Sequence, residues 1–173
     1  MTKNSTNEFS STRKKLFALQ KRGFLFHGSS HKIAVLQLRQ PVNFNIKKNK
    51  YLIHGKPCVA ATPYADIAVF RAIVNKTNFP SRSKSYAATF GINSRTKKLN
   101  LKTTQRVIEN LSNQHGYVHV VDKEKFSKRS IWEWRSSKIV KPLKVIKVSV
   151  RDLNRDAMKM IDYDFKIIKN YKK

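Results

Sequence analysis

The chain has 173 residues, 37 Lys and Arg against 10 Asp and Glu, a formal charge of +27 at pH 7, and a 40% hydrophobic share. Its one cysteine, Cys58, excludes an intramolecular disulfide and a multi-thiolate metal cage, and no apolar run approaches the roughly 20 residues that span a bilayer. These numbers fit one cytoplasmic globular domain without membrane insertion. Its field either draws polyanions such as RNA, DNA, a ribosome or an anionic membrane surface, or is a basic surface with no dedicated partner.

Residues 1–12 are polar and predict a loose arm; residues 13–173 predict a single domain with a basic C-terminal tail. A short basic helix is expected over Arg13 to Arg22. A buried strand follows at Phe24 to Phe26, ending in a turn at Gly28. Beyond a basic, Asn-rich connection, Cys58 to Ala61 predicts a second strand, with Cys58 as a small core residue rather than a nucleophile. A helix over Tyr64 to Val74 is then expected, with Thr62 as N-cap, Pro63 at the first position and Asp66 in the first turn. Further strands are expected at Tyr86 to Ile92, Lys98 to Leu101, Tyr117 to Val121 and Ser130 to Arg135. The longest is expected at Ile139 to Val150, and a helix at Thr104 to Asn113. This order fits an α+β or split-sheet fold better than a doubly wound parallel sheet. Neither GxGxxG nor GxxxxGK[ST] occurs, so a nucleotide would not bind in the Rossmann or P-loop manner.

Three segments carry groups suited to chemistry. His27-Gly28-Ser29 ends an apolar strand, where Gly28 admits a close ligand and the flanking side chains offer hydrogen bonds; a structural histidine beside a turn is the plainer reading. Val59 to Phe70 is a strand turning into a helix, and alone reads as core. In Ser130 to Val148, strand alternation puts Trp132 and Trp134 on one face and Glu133 on the other. A mid-strand carboxylate needs a partner or a use: either an ion pair with a nearby Lys or Arg, or a negative charge held against a sugar hydroxyl or a developing positive charge.

Together the three segments resemble the ADP-ribosyltransferases of the diphtheria-toxin and poly(ADP-ribose) polymerase type. There a strand ends in His-Gly-Ser or His-Gly-Thr, a later strand leads into a helix bearing an aromatic ring, and a late strand carries a Glu before an aromatic residue. The resemblance implies a single-domain α+β fold with a split antiparallel sheet and short helices, and NAD as a substrate. It further implies that His27 and Ser29 contact the nicotinamide-side ribose, the Gly28 backbone binds the nicotinamide amide, Phe70 stacks on the nicotinamide, and Glu133 is the catalytic glutamate. The acceptor would be a nucleic acid or a protein; a non-catalytic nucleic-acid-binding module on the same fold is the alternative. Two positions depart from the family: its strand Tyr aligns with Val59 and its nicotinamide-contacting Ser with Ile67, with Tyr64 as a candidate replacement ring. A weaker similarity is to the RNA 2'-phosphotransferases, whose paired Arg motifs are not evident. His115 and His119 have a metal-like spacing, but YVHVV reads as a strand and no third ligand lies nearby, so no metal is expected. A G-x-S-x-G elbow is also lacking.

Overall fold

The structure is a computed structural model that describes residues 10–45, 50–80 and 88–161. The first described element is helix α1 (Ser11–Lys21), whose first turn is capped by Ser10, its side chain accepting the Arg13 N–H at 3.0 Å. Most of the expected polar arm, residues 1–9, lies outside the described residues, and Ser11 and Thr12 are already helical. Strand β1 (Leu25–Ser29) follows, then the hairpin of β2 (Val42–Asn45) and β3 (Lys50–Ile53), strand β4 (Val59–Ala61) and helix α2 (Ala65–Ile73). Next come β5 (Ala88–Ile92), β6 (Leu99–Thr103), α3 (Gln105–Glu109), β7 (His115–Val121), β8 (Ser127–Lys128), β9 (Trp134–Ser136), β10 (Lys144–Ser149) and β11 (Met158–Met160).

The strands make two antiparallel three-stranded sheets, β1-β7-β10 and β4-β9-β8, beside a mixed sheet β5-β6-β11 and the β2-β3 hairpin. The mixed α/β, single-domain character read from the sequence is present. The first two sheets meet at one bridge: Phe26 N–H donates to the Thr62 carbonyl at 2.8 Å, and Thr62 N–H donates to the Phe26 carbonyl at 2.9 Å. This junction is the seam between the two sheets.

Strand alternation sorts the core into two. Phe26, Val118 and Val120 face the main core, where α2 docks, whereas Leu25 and Val121 face a second core with Leu36, Val59, Ala61, Phe126 and Val140. Seven of the nine α2 residues are buried, so the helix is apolar on most of its circumference and is covered accordingly. Burying Ile67, Phe70 and Ile73 contributes roughly 1.5–3 kcal/mol each. Its docking needs bare backbone beneath it. A Cβ at Gly28 would lie 2.0 Å from the Ala68 carbonyl oxygen, and one at Gly116 would lie 2.1 Å from that of Ala72. An ion pair ties α1 to α2, Arg13 Nη2 lying 3.1 Å from an Asp66 carboxylate oxygen, and Asn154 donates to the same carboxylate at 2.8 Å.

Several expectations are corrected. Gly28 lies within β1 and not at a turn. Thr62 is not the N-cap, because α2 begins only at Ala65 after Tyr64; its Oγ1 accepts the Tyr64 N–H at 3.3 Å, and the Ala65 N–H donates to Gln20 Oε1 of α1 at 2.7 Å. The predicted strand Ser130 to Arg135 shrinks to β9, since Ser130 accepts the N–H groups of Trp132 and Glu133 and bends the chain. The two tryptophans therefore part: Trp132 packs against the main core beside Phe90, and Trp134 against the second. The long run Ile139 to Val150 yields only β10, and β7 is the longest strand among the described residues.

Candidate functional site

The seam holds two of the candidates, the His27 side chain and the Gly28 backbone. Past the Phe26–Thr62 bridge, β1 and β4 form no ladder, and the ring of His27 fills the gap, its Nδ1 lying 2.7 Å from the Ala60 carbonyl oxygen. A carbonyl only accepts, so the proton sits on Nδ1, and Nε2, an acceptor, has no hydrogen-bond partner among the described residues. Burial first, then the nearby Arg71 charge, push the His27 pKa down to about 4, against the Ala60 hydrogen bond that raises it; Arg39 and His119 add smaller downward effects. His27 is thus a neutral hydrogen-bond acceptor at physiological pH.

Its neighbour fixes the strand. His119 of β7 is fully buried, and both its ring nitrogens are engaged. The Ile33 N–H donates to Nε2 at 2.9 Å, so Nδ1 is the protonated atom, donating to the His27 carbonyl at 3.2 Å. Burial pushes its pKa down as well. The two rings meet edge-on with centroids 5.9 Å apart. His119, weighed in the sequence as a metal ligand, is instead the pin that holds the chain after β1 against the sheet. His115 of the same spacing is exposed, and among the described residues no cluster of three metal-ligating side chains occurs.

Gly28 has two distinct surfaces. Its missing side chain is required by α2, which occupies the space expected from the sequence to admit a ligand. Its backbone is another matter. Peptide groups alternate along a strand, so the Gly28 N–H and C=O point the same way as those of Phe26, into the seam and not toward β7. Ser29 is half-buried, and its Oγ accepts the His31 N–H at 3.2 Å in a local turn.

Glu133 stands one residue before β9, in register with Thr62 and two strands from His27, a lateral separation of roughly 10 Å. Its carboxylate Oε1 lies 2.9 Å from Nε of Arg135, and the pair is mostly buried, at 17% exposure for Arg135 and 19% for Glu133. Alternation along β9 puts both on the side of the sheet shared by Ala60 and Gly28, whereas His27 springs from the opposite side and reaches Ala60 from within the gap. Cys58, beside this pair, is buried; burial pushes its thiol pKa up, with Arg135 opposing and Glu133 adding.

The other aromatic candidates are not brought to the seam. Phe70 has no exposed surface: it lies in the main core, 6.4 Å from Phe90 centroid to centroid, and has no free face to stack on a ligand. The role expected of it is withdrawn, because its position on α2 turns it under the helix. Val59 and Ile67, where the family has Tyr and Ser, are likewise core residues. Tyr64 packs partly buried at the start of α2, one helical turn before Ala68, which covers Gly28. Arg135, Arg71, Arg39 and the Ala60 carbonyl were missed in the sequence. Only Arg135 carried a signal, since it sits two residues from Glu133 on one strand face. Comparison of the chain with protein-family models, with curated proteins and with solved structures gives no match.

Proposed function

We propose that the chain is an NAD-dependent ADP-ribosyltransferase with the split antiparallel sheet that its resemblance implies, and that the seam takes the nicotinamide end of NAD. The observation that carries this reading is the parting of the two sheets at Phe26–Thr62. It leaves the Gly28 backbone groups directed toward the seam, beside the His27 ring that Nδ1 anchors to Ala60. A peptide N–H and C=O side by side match the carboxamide of nicotinamide, donor to acceptor and acceptor to donor. A neutral imidazole acceptor suits a ribose hydroxyl.

In the reaction the bond between ribose C1' and the nicotinamide nitrogen breaks. Nicotinamide leaves neutral with the electron pair, and an acceptor nucleophile bonds to C1' and gives up its proton. Positive charge grows on the ribose between these events, and the Glu133 carboxylate is the group that meets it electrostatically. Arg135 orients that carboxylate. Arg71 and Arg39, near enough to His27 to lower its pKa, add positive field for the pyrophosphate. Phe70 has no part in this reading.

Incubating the protein with labelled NAD tests it. Nicotinamide release and labelling of a macromolecule are expected, and both are lost in Glu133→Gln with the fold intact. Labelling undiminished in that variant removes Glu133 from the mechanism. A second reading, a non-catalytic nucleic-acid-binding module, is favoured by the ion pair that already satisfies Glu133 and by the charge of +27. Calorimetry separates the two: no saturable NAD binding, together with nucleic-acid affinity that falls steeply with salt, selects the second.

A further inference from the structure

Away from the seam's open end lies a pocket of about 190 Å³ lined by Gln20, Phe24, Leu25, Pro63, Ile131 and Trp134, with Lys123 and Lys128 at its edge. It is smaller than the roughly 300–1,000 Å³ of sites that enclose a drug-sized molecule, so it suits one ring system and not a whole dinucleotide. Trp134 makes a fixed wall: one side packs on the second core, and the Lys123 ammonium lies 4.9 Å from the ring centroid on an exposed side chain. No acidic side chain lines the pocket. Gln20 Oε1 is held by the Ala65 N–H, which leaves the carboxamide NH₂ as the free end. The free polar side-chain groups of the lining are therefore all donors, suited to carbonyl oxygens and phosphates. The pocket opens beside β8, an edge strand flanked by exposed Lys125 and Arg129.

We propose that this pocket holds one unpaired base of a single-stranded nucleic acid, stacked on Trp134, with the adjoining phosphates on Lys123 and Lys128. An apolar slot with an aromatic wall and a cationic rim is the arrangement by which single strands are bound without a duplex groove: the ring takes the base and the lysines take the backbone. The four-carbon stem of Lys123 lets its ammonium leave the ring for a phosphate. Leu25 lines the pocket and His27 lies two residues on in the same strand, about 7 Å away. A strand anchored here passes the seam. The inference deepens the acceptor side of the transferase reading, yet it stands on the pocket alone, so the two fail separately. Base binding without NAD consumption removes the transferase reading only; nicotinamide release without base binding removes this one only.

Tryptophan emission, recorded in the Trp132→Phe background so that Trp134 reports, tests the proposal against four probes: a short single-stranded oligonucleotide, its duplex, inorganic polyphosphate and NAD. The oligonucleotide is expected to quench the emission while duplex and polyphosphate bind with little quenching. Trp134→Leu is expected to weaken oligonucleotide binding by about tenfold and leave polyphosphate binding unchanged. Lys123→Glu, on an exposed side chain that does not endanger folding, is expected to weaken both and to abolish the quench. Equal quenching by polyphosphate, or single-strand affinity unaffected by both substitutions, overturns the proposal. So does NAD that quenches Trp134 and displaces the oligonucleotide, which would give the pocket to that small molecule.

Discussion

The imidazole of His27 donates from Nδ1 to the carbonyl of Ala60, 2.7 Å away, and so takes the place of a backbone rung where none is formed between β1 and β4. One side chain thereby closes the strand gap.

That bond has a pH consequence. His27 takes up a proton near pH 6.5 when unfolded but only near 4 when folded, chiefly because burial disfavours its charge and Arg71 adds to that. Stability is expected to be flat above pH 6.5 and to fall as the pH drops from 6.5 toward 4, because the unfolded chain binds the extra proton in that window. The loss attributable to His27 by pH 4.5 is roughly 2–3 kcal/mol, at about 1.4 kcal/mol for each pH unit crossed. Denaturant melts at pH 7 and 4.5 measure it, and His27→Asn is expected to shrink the difference. An equal difference in that variant would assign the effect elsewhere, with His119 the first alternative since burial lowers its pKa too.

Gly28 and Gly116 are predicted to be intolerant of alanine, because each added methyl meets an α2 carbonyl at about half of a normal contact distance. The helix must lift or the strand bend, at a cost of about 3 kcal/mol or more. Gly91→Ala is the control: the nearest atoms to its Cβ would be those of the Trp132 ring, at 3.5 Å and beyond, an ordinary contact. Thermal unfolding should rank the three, and an unshifted midpoint for Gly28→Ala would contradict the docking of α2 on β1.

Asp66 is the knot between α1, α2 and the segment after β10, accepting from both Arg13 and Asn154. Asp66→Ala leaves the Arg13 charge, at 8% exposure, without this carboxylate, and is expected to cost about 3 kcal/mol. Proteolysis should then cut the α1 region first. Loss of stability with no change in protease sensitivity there would mean the helix is held by its apolar side alone.

On the transferase reading, Glu133→Gln should lower nicotinamide release by about 100-fold or more, the scale seen when a charge-stabilising group is removed. Arg135→Lys keeps the positive charge but not the planar Nε donor. It is expected to lower kcat with little change in KM, and Arg135→Met to lower it further. An Arg135→Met enzyme as fast as the parent would show that the carboxylate needs no orienting partner.

Local patterns were legible where a short stretch decides its own fate. The basic run with its apolar side placed α1, β4 and α2 followed from apolar spacing, and YVHVV read correctly as a strand. What stayed hidden depended on partners far along the chain. Thr62 looks like a helix cap by itself, but Phe26 claims its backbone. Gly28 looks like room for a ligand, but Ala68 fills that side. Phe70 has the right residue type for stacking, yet helical phase turns it into the core. The Glu133 carboxylate was recognisable as one that demands a partner. Arg135, two residues on and on the same strand face, was the partner that the spacing allowed, and the structure sets its Nε 2.9 Å from the carboxylate.

The link from Gln20 Oε1 to the Ala65 amide reaches across 45 positions of sequence. Helix α2 accordingly has no complete beginning of its own: a peptide cut out around it would start with an unmet donor and few apolar partners, and would stay largely uncoiled in water. In the intact protein the seated α1 supplies the acceptor that completes the start of α2. The two helices are thus interdependent through a distant amide side chain, and a chain severed between α1 and β1 should regain its shape only when both pieces are mixed.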